Sequence, residues 1–126
     1  MAELLVINVL ARPYYDDCHI TGSINVPFEQ LESFVKTVPK NTHIVVYCAR
    51  YECHASEQAY RDLVRLGFTN VYEYPGGIAE WYQKGYPTTG PAKEKYVHDP
   101  TRPHPVPADV KMVSAENLKK MIVKHS

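Results

Sequence analysis

No sign of charge dominates this sequence: 14 Lys and Arg offset 14 Asp and Glu in 126 residues. A nucleic-acid stripe or a polybasic membrane patch needs excess Lys and Arg, so both are excluded as expectations. No apolar run approaches the ~20 residues that a membrane-spanning helix requires. The segment Met1 to Val9 has neither a basic stretch nor a small-residue cleavage site, so no secretory signal is expected. Three cysteines are odd in number and far too few for a disulfide scaffold, and a reducing, cytoplasmic setting is the default expectation. There is no Cys-x-x-Cys pair and no His–Glu helix motif, so no metal is expected. Gly76-Gly77 lacks the spacing of a phosphate-binding loop, and no cofactor is expected. The ten tyrosines follow no base-stacking period.

The residues present describe an ordinary globular chain, 44% hydrophobic and 22% charged, of single-domain length. Leu4 to Leu10 is a near-continuous apolar run, which reads as a strand buried on both faces. Ile24 to Pro27, His43 to Tyr47 and Asn70 to Tyr74 read as further strands. Apolar positions at helical spacing predict helices over Phe28–Val38, Ser56–Leu66 and Ile78–Lys84. Alternation of strand and helix argues an α/β domain with a mostly parallel sheet and helices on both faces. After residue 87 the composition changes, and five of the ten prolines fall between Pro91 and Pro107. Proline lacks the amide donor, so residues 88–109 are expected as an extended linker. Order resumes with a short strand at Val110–Val113 and a helix from the N-cap Ser114, with Leu118, Met121 and Ile122 as its stripe. The predicted division is thus a core of 1–87, a linker of 88–109 and a strand–helix segment of 110–126 completing the same domain.

One segment carries chemistry: Tyr47-Cys48-Ala49-Arg50-Tyr51-Glu52-Cys53-His54-Ala55-Ser56. Cys48 follows a buried strand and precedes a loop that feeds a helix, the place where open α/β sheets put their sites. Amides at a helix N-terminus lower a thiol's pKa, and thiolate is the nucleophile. At this level a buried structural cysteine accounts for Cys48 equally well. His98 and His104, within the proline-rich stretch, are expected to be solvated.

Four motifs in order resemble the rhodanese family: His19-Ile20-Thr21-Gly22-Ser23-Ile24-Asn25-Val26-Pro27, Val45-Val46-Tyr47-Cys48, Leu66 to Tyr72, and Gly76-Gly77-Ile78-Ala79-Glu80-Trp81. The resemblance implies a rhodanese-like three-layer α/β fold. It implies a sulfurtransferase whose catalytic Cys48 carries a persulfide between a donor, thiosulfate or a low-molecular-weight persulfide, and a thiol or cyanide acceptor. The loop Ala49, Arg50, Tyr51, Glu52, Cys53 and His54 would be the substrate-binding segment, with Arg50 and His54 attracting thiosulfate or orienting an acceptor. Cys53 would serve as a resolving thiol or else as loop filling. His19 would bond the backbone without acid–base work, and Cys18 would be structural.

The departures from the family are specific. Asn8 and Leu10 stand where members usually carry an aspartate and an arginine, and losing both leaves no unpaired buried charge. The loop from Cys48 to Ser56 is longer than the usual sulfurtransferase loop. Related phosphatases and arsenate reductases use longer loops, so a Cys-based enzyme of that kind is the alternative, beside a non-catalytic interaction domain. Those relatives grip an oxyanion with an arginine late in the loop, whereas here Arg50 is early and Glu52 opposes anions. The family's usual opening strand and serine-capped helix correspond to Val110–Val113 and Ser114–Lys124 at the other end of this chain. A circularly permuted order is therefore expected, closing on itself as a monomer or as a domain-swapped dimer.

Overall fold

A computed structural model describes residues 4–125. A four-stranded parallel sheet runs in the order β3-β1-β4-β5, formed by β1 (Leu4–Asn8), β3 (Ile24–Asn25), β4 (His43–Tyr47) and β5 (Val71–Glu73). β4 is central, in full register with β1 from Leu4↔His43 to Asn8↔Tyr47. Alternation along β4 divides the core. Ile44 and Val46 face one cluster with α3 (Ala55–Arg65), through Ala59 and Leu63, and with Leu31 and Val35. Val45 and Tyr47 face a second cluster with Ile78 and Trp81 of α4 (Gly77–Gln83) and Leu118 of α5 (Ala115–His125). Helices thus cover both faces, and the family-implied three-layer α/β class is the observed one.

The expected helix over 28–38 is broken. It consists of a 3-10 turn at Phe28–Gln30, the short α2 (Leu31–Phe34) and a second 3-10 turn at Val35–Thr37. Only Leu31 and Val35 are buried in it, so a single four-residue step anchors the segment and nothing enforces a longer helix. Three short elements carry no sequence signal. Pro13, which reads as the end of β1, instead starts α1 (Arg12–Asp17), where a missing amide costs nothing. β2 (His19–Ile20) pairs antiparallel with β6 (Thr88–Thr89), and two-residue strands show no period. A buried polar triad ties this ribbon to the sheet: the Tyr47 hydroxyl receives the Ile20 amide at 3.0 Å and meets the Ser23 hydroxyl at 2.8 Å, which donates to the Ile20 carbonyl.

Residues 88–109 form mostly irregular, extended backbone, yet they are fastened along their length. The Trp81 indole donates to the Pro87 carbonyl, the amides of Lys93 and Glu94 donate to the Asp17 carboxylate, and Val97 is fully buried. Arg61 of α3 meets Asp109 through two contacts of 2.7 and 3.3 Å. The chain then runs along the outer edge of β5. The Glu73 amide donates to the Lys111 carbonyl, the Val113 amide donates to the Glu73 carbonyl, and Met112 makes a parallel bridge with Glu73. Ser114 caps α5 by accepting the Asn117 amide at 3.1 Å.

Leu118 is fully buried in the cluster that holds Trp81, so α5 packs on the same face of the sheet as α4. Leu118→Ala is expected to cost about 2–5 kcal/mol. Urea unfolding followed by Trp81 fluorescence should show one transition shifted to lower denaturant; an unshifted midpoint would contradict this packing.

Candidate active site

Cys48 is the first residue beyond β4, and its side chain is 1% exposed. The loop it heads is pinned at its start by α4. The Ile78 amide donates to the Cys48 carbonyl at 3.0 Å, and the Ala79 amide to the Ala49 carbonyl at 2.9 Å. Gly77 makes this approach possible. Its φ is +67°, and a Cβ there would lie 2.6 Å from the Cys48 oxygen and from the Ala49 carbonyl carbon. Only glycine meets both conditions without strain.

Beyond Ala49 the chain turns, with the Cys53 amide bonding the Arg50 carbonyl at 3.0 Å, and enters α3 after His54. The turn carries Cys53 back over Cys48. Their Cα atoms are 6.4 Å apart and the two sulfurs are joined as a disulfide. Tyr51 points the other way and donates to Glu80 of α4 at 2.6 Å; Tyr74 donates to the second oxygen of the same carboxylate at 2.7 Å. Burial and the Glu80 carboxylate hold both phenols above their ordinary pKa, so both remain donors. Arg50 lies between Glu52 at 3.2 Å and Asp99 at 3.5 Å. His104, expected to be solvated, is exposed, but its Nε2 reaches Glu52 at 3.2 Å because the proline-rich segment passes directly over the loop. His98 bonds the Ala92 carbonyl, so it too has a protein partner.

Two residues that sequence reasoning does not assign to the site lie beneath the sulfur. The Ser56 hydroxyl, in the first turn of α3, is 3.2 Å from the Cys48 sulfur and donates to the Glu73 carboxylate at 2.7 Å. Glu73 is 4% exposed, on the inward face of β5 beside Val71. Burial pushes its carboxyl pKa up; the Ser56 bond, Arg61 and His54 oppose the shift, and Glu57 reinforces it. A signal for Glu73 is present in the sequence: strand alternation puts a carboxylate on the face of Val71.

Above Cys53 a cleft of about 380 Å³ opens, bounded by the loop, Pro75 and the segment His104–Pro107. Cys53, His54, Glu57 and Glu73 reach its wall; Cys48 lies beneath them. Among the described residues no group of three His, Cys, Asp or Glu side chains is placed to hold a metal ion. No helix among them is long and apolar enough to cross a membrane.

Outside the site, the His19 Nδ1–H donates to the Tyr15 carbonyl at 2.7 Å and the ring stacks on Tyr15. Asn8 is fully buried, and its side-chain oxygen accepts the Leu10 amide at 2.9 Å. The Asn8 side chain therefore closes the turn that follows β1. Cys18 is a free, buried thiol whose pKa burial pushes up to about 11, partly opposed by a bond with Thr88.

An α/β sheet with a cysteine at the end of its central strand defines a class, and comparison with known proteins gives the family. The profile of the rhodanese-like domain matches residues 2–84, and the chain belongs to that family. It is 30% identical over 77 residues to thiosulfate sulfurtransferase GlpE of Pseudomonas fluorescens, covering 61% of this chain and 69% of that protein. The crystal structure of the Rhodanese_3-like domain of Alr3790 from Anabaena is 35% identical with a TM-score of 0.62, over 68% of this chain and 97% of that one. That of BH2092 from Bacillus halodurans is 29% identical with a TM-score of 0.64, over 71% of this chain and 65% of that one.

The raised pKa of Glu73 has a direct consequence for stability. Its carboxyl binds a proton more tightly folded than unfolded, so its contribution is complete below the unfolded value of ~4.3 and is lost as pH rises through the folded value. Glu73→Gln removes that loss. The stability of Glu73→Gln relative to wild type should therefore rise from pH 4 toward neutrality, measured by urea unfolding at several pH values. A pH-independent difference would show that Glu73 ionises as easily folded as unfolded.

Proposed function

We propose that this protein is a sulfurtransferase that carries sulfane sulfur as a persulfide on Cys48 and passes it to a thiol or cyanide. The observation behind this reading is the position of Cys48 at the carboxyl end of the central strand, heading the loop into α3. The Cys48 thiolate attacks the outer sulfur of the donor. With thiosulfate, the S–S bond of the donor breaks, sulfite leaves and Cys48 holds the persulfide. An acceptor thiolate then takes the outer sulfur and frees the Cys48 thiolate. Loop amides other than that of Cys53, which bonds the Arg50 carbonyl, and the amino end of α3 stabilise the anionic sulfur in both steps.

Cys53 offers a second discharge route, favoured by its place over Cys48. Its thiolate attacks the Cys48 sulfur of the protonated persulfide, hydrosulfide leaves, and a Cys48–Cys53 disulfide remains. An external dithiol supplies the two electrons that reopen it, which suits the expected cytoplasmic setting. Arg50 is held by Glu52 and Asp99, and Arg61 by Glu57 and Asp109. With these arginines engaged, a low-molecular-weight persulfide suits the cleft better than the thiosulfate dianion, and a phosphatase-like oxyanion grip is disfavoured.

Intact mass after donor exposure tests the reading. Wild type should gain one sulfur that cyanide removes, and Cys48→Ser should gain none. Absence of an adduct with thiosulfate, glutathione persulfide and mercaptopyruvate alike would overturn it, leaving the phosphatase and interaction-domain readings.

We also propose that the chain is circularly permuted relative to its family and closes as a monomer. The Val110–Val113 segment lies along β5, and α5 packs beside β1. His125 comes close enough to His43 to oppose its protonation, adding to the effect of burial, and His43 is the register partner of Leu4. The junction itself, Ser126 and residues 1–3, lies outside the described residues. Joining Ser126 to Met1 by a short glycine linker and opening the chain between Pro100 and Pro103 should give a monomer melting within a few degrees of wild type. Failure of this rearranged chain to fold would count against permutation.

A further inference from the structure

The buried carboxyl of Glu73 has no role in the sulfur-transfer steps above, yet it is one hydroxyl away from the sulfur. The chain of contacts is Cys48 Sγ, here in its disulfide with Cys53, 3.2 Å to Ser56 Oγ, and 2.7 Å on to Glu73 Oε2. Ser56 is itself 1% exposed, so water does not compete for its single proton. A hydroxyl has one O–H to give, and here it sits between two groups that can each be anionic. If Glu73 is ionised, the hydroxyl gives its proton to the carboxylate and turns a lone pair toward the sulfur, which suits a thiol. If Glu73 is neutral, its own O–H is donated to Ser56, and the Ser56 hydroxyl turns to the sulfur, which suits a thiolate.

We propose that Glu73 is a positioning residue for Cys48: through Ser56 it sets the direction of the hydroxyl at the sulfur and takes up the thiol proton when the thiolate forms. The step balances. The S–H bond of Cys48 breaks and its proton goes to Ser56 Oγ; the Ser56 proton goes to Glu73, leaving thiolate, hydroxyl and carboxylic acid. No charge is created, only moved, which is why the step suits a buried site. An ordinary carboxyl, near pKa ~4.3, is a poor acceptor for a proton from a thiol near ~8.5, and burial of Glu73 narrows that gap from the carboxyl side.

The surroundings of Glu73 leave this exchange available. Glu57 and Arg61 of α3 face it but pair with one another, and Arg61 pairs again with Asp109. His54, at the start of α3, acts on Glu73 at longer range. Across the cleft, Glu52 and His104 bond each other. Lys111, on the segment beside β5, contributes its backbone carbonyl to the Glu73 amide. The hydrogen bond that the Glu73 carboxylate makes is the one with Ser56.

This rests on Cys48 being the sulfur carrier, but the test reads proton affinity and not sulfur transfer, so the two readings fail separately. In the full chain with Cys53→Ser, the rate of Cys48 alkylation by iodoacetamide is followed from pH 4 to 10 with intact-mass readout. The pair should titrate together, giving a two-step rise in rate. Adding Glu73→Gln should leave one step, its midpoint lower than the upper wild-type step by about one pH unit, because the opposing carboxylate is gone and the amide donates to Ser56. Adding Ser56→Ala should raise the midpoint, and the effect of Glu73→Gln should shrink by more than half in that background. A Glu73→Gln midpoint that is unchanged or raised, or an effect of equal size in the Ser56→Ala background, would overturn the proposal.

Discussion

The approach of α4 to the backbone of Cys48 and Ala49 is the constraint on which the site depends. Two amides of α4 take the two carbonyls that follow the central strand, and they do so only because residue 77 has no side chain and tolerates a positive φ. That one docking fixes the direction in which the loop leaves the sheet. It also brings Glu80 to Tyr51 and Tyr74, so the same short helix holds the loop's start by its backbone and the loop's middle by a carboxylate. Trp81, one turn from the docking point, anchors α4 in the core, with its indole nitrogen satisfied by the Pro87 carbonyl. Core and loop are therefore coupled through the single short helix Gly77–Gln83.

The segment after Asp109 serves both the sheet and the site. An open edge at β5 would expose unpaired amides and carbonyls. Lys111 and Val113 take the amide and carbonyl of Glu73 itself, and this places the chain against a strand residue whose side chain reaches Ser56. Burial is the main reason the Glu73 carboxyl holds a proton more tightly than an ordinary glutamate. The distal end of the chain thus fastens the backbone of a residue next to Cys48.

What can be read in the residues follows period and punctuation. β1 from Leu4 to Ile7 and β4 from Ile44 to Tyr47 run without a charged or strongly polar residue because both of their faces are covered, and α3 is legible from Ala59, Leu63 and Leu66 at helical spacing. Ser114 and Leu118 announce α5 because a cap and a stripe are local signals. The ribbon of β2 and β6 is silent, since pairing between such distant segments is decided by Tyr47 and Ser23 binding Ile20 and not by propensity. α1 is hidden behind Pro13, which ends a strand and starts a helix equally well. In the site, Cys48 and its loop stand out because they follow a strand. Glu73 shows only through strand alternation and His104 not at all, because each acts from another part of the chain.

The electrostatics of the cleft separate this site from an oxyanion cradle. A tetrahedral dianion needs a fork of donors with no competing acceptor. Arg50 is the only arginine inside the loop, and both its near neighbours are carboxylates. His104 is drawn to Glu52 and not toward the sulfur, and Arg61 is occupied by Glu57 and Asp109. The wall also carries Pro75, Pro105, Val106 and Cys53, beside His54 and the carboxyl groups of Glu57 and Glu73. The carboxylates of Glu52 and Glu57 on that wall oppose a dianion at the entrance. Below it, the Ser56 hydroxyl lies 3.2 Å from the Cys48 sulfur. Acceptors therefore crowd the entrance, while beneath it the buried sulfur has a hydroxyl as its neighbour.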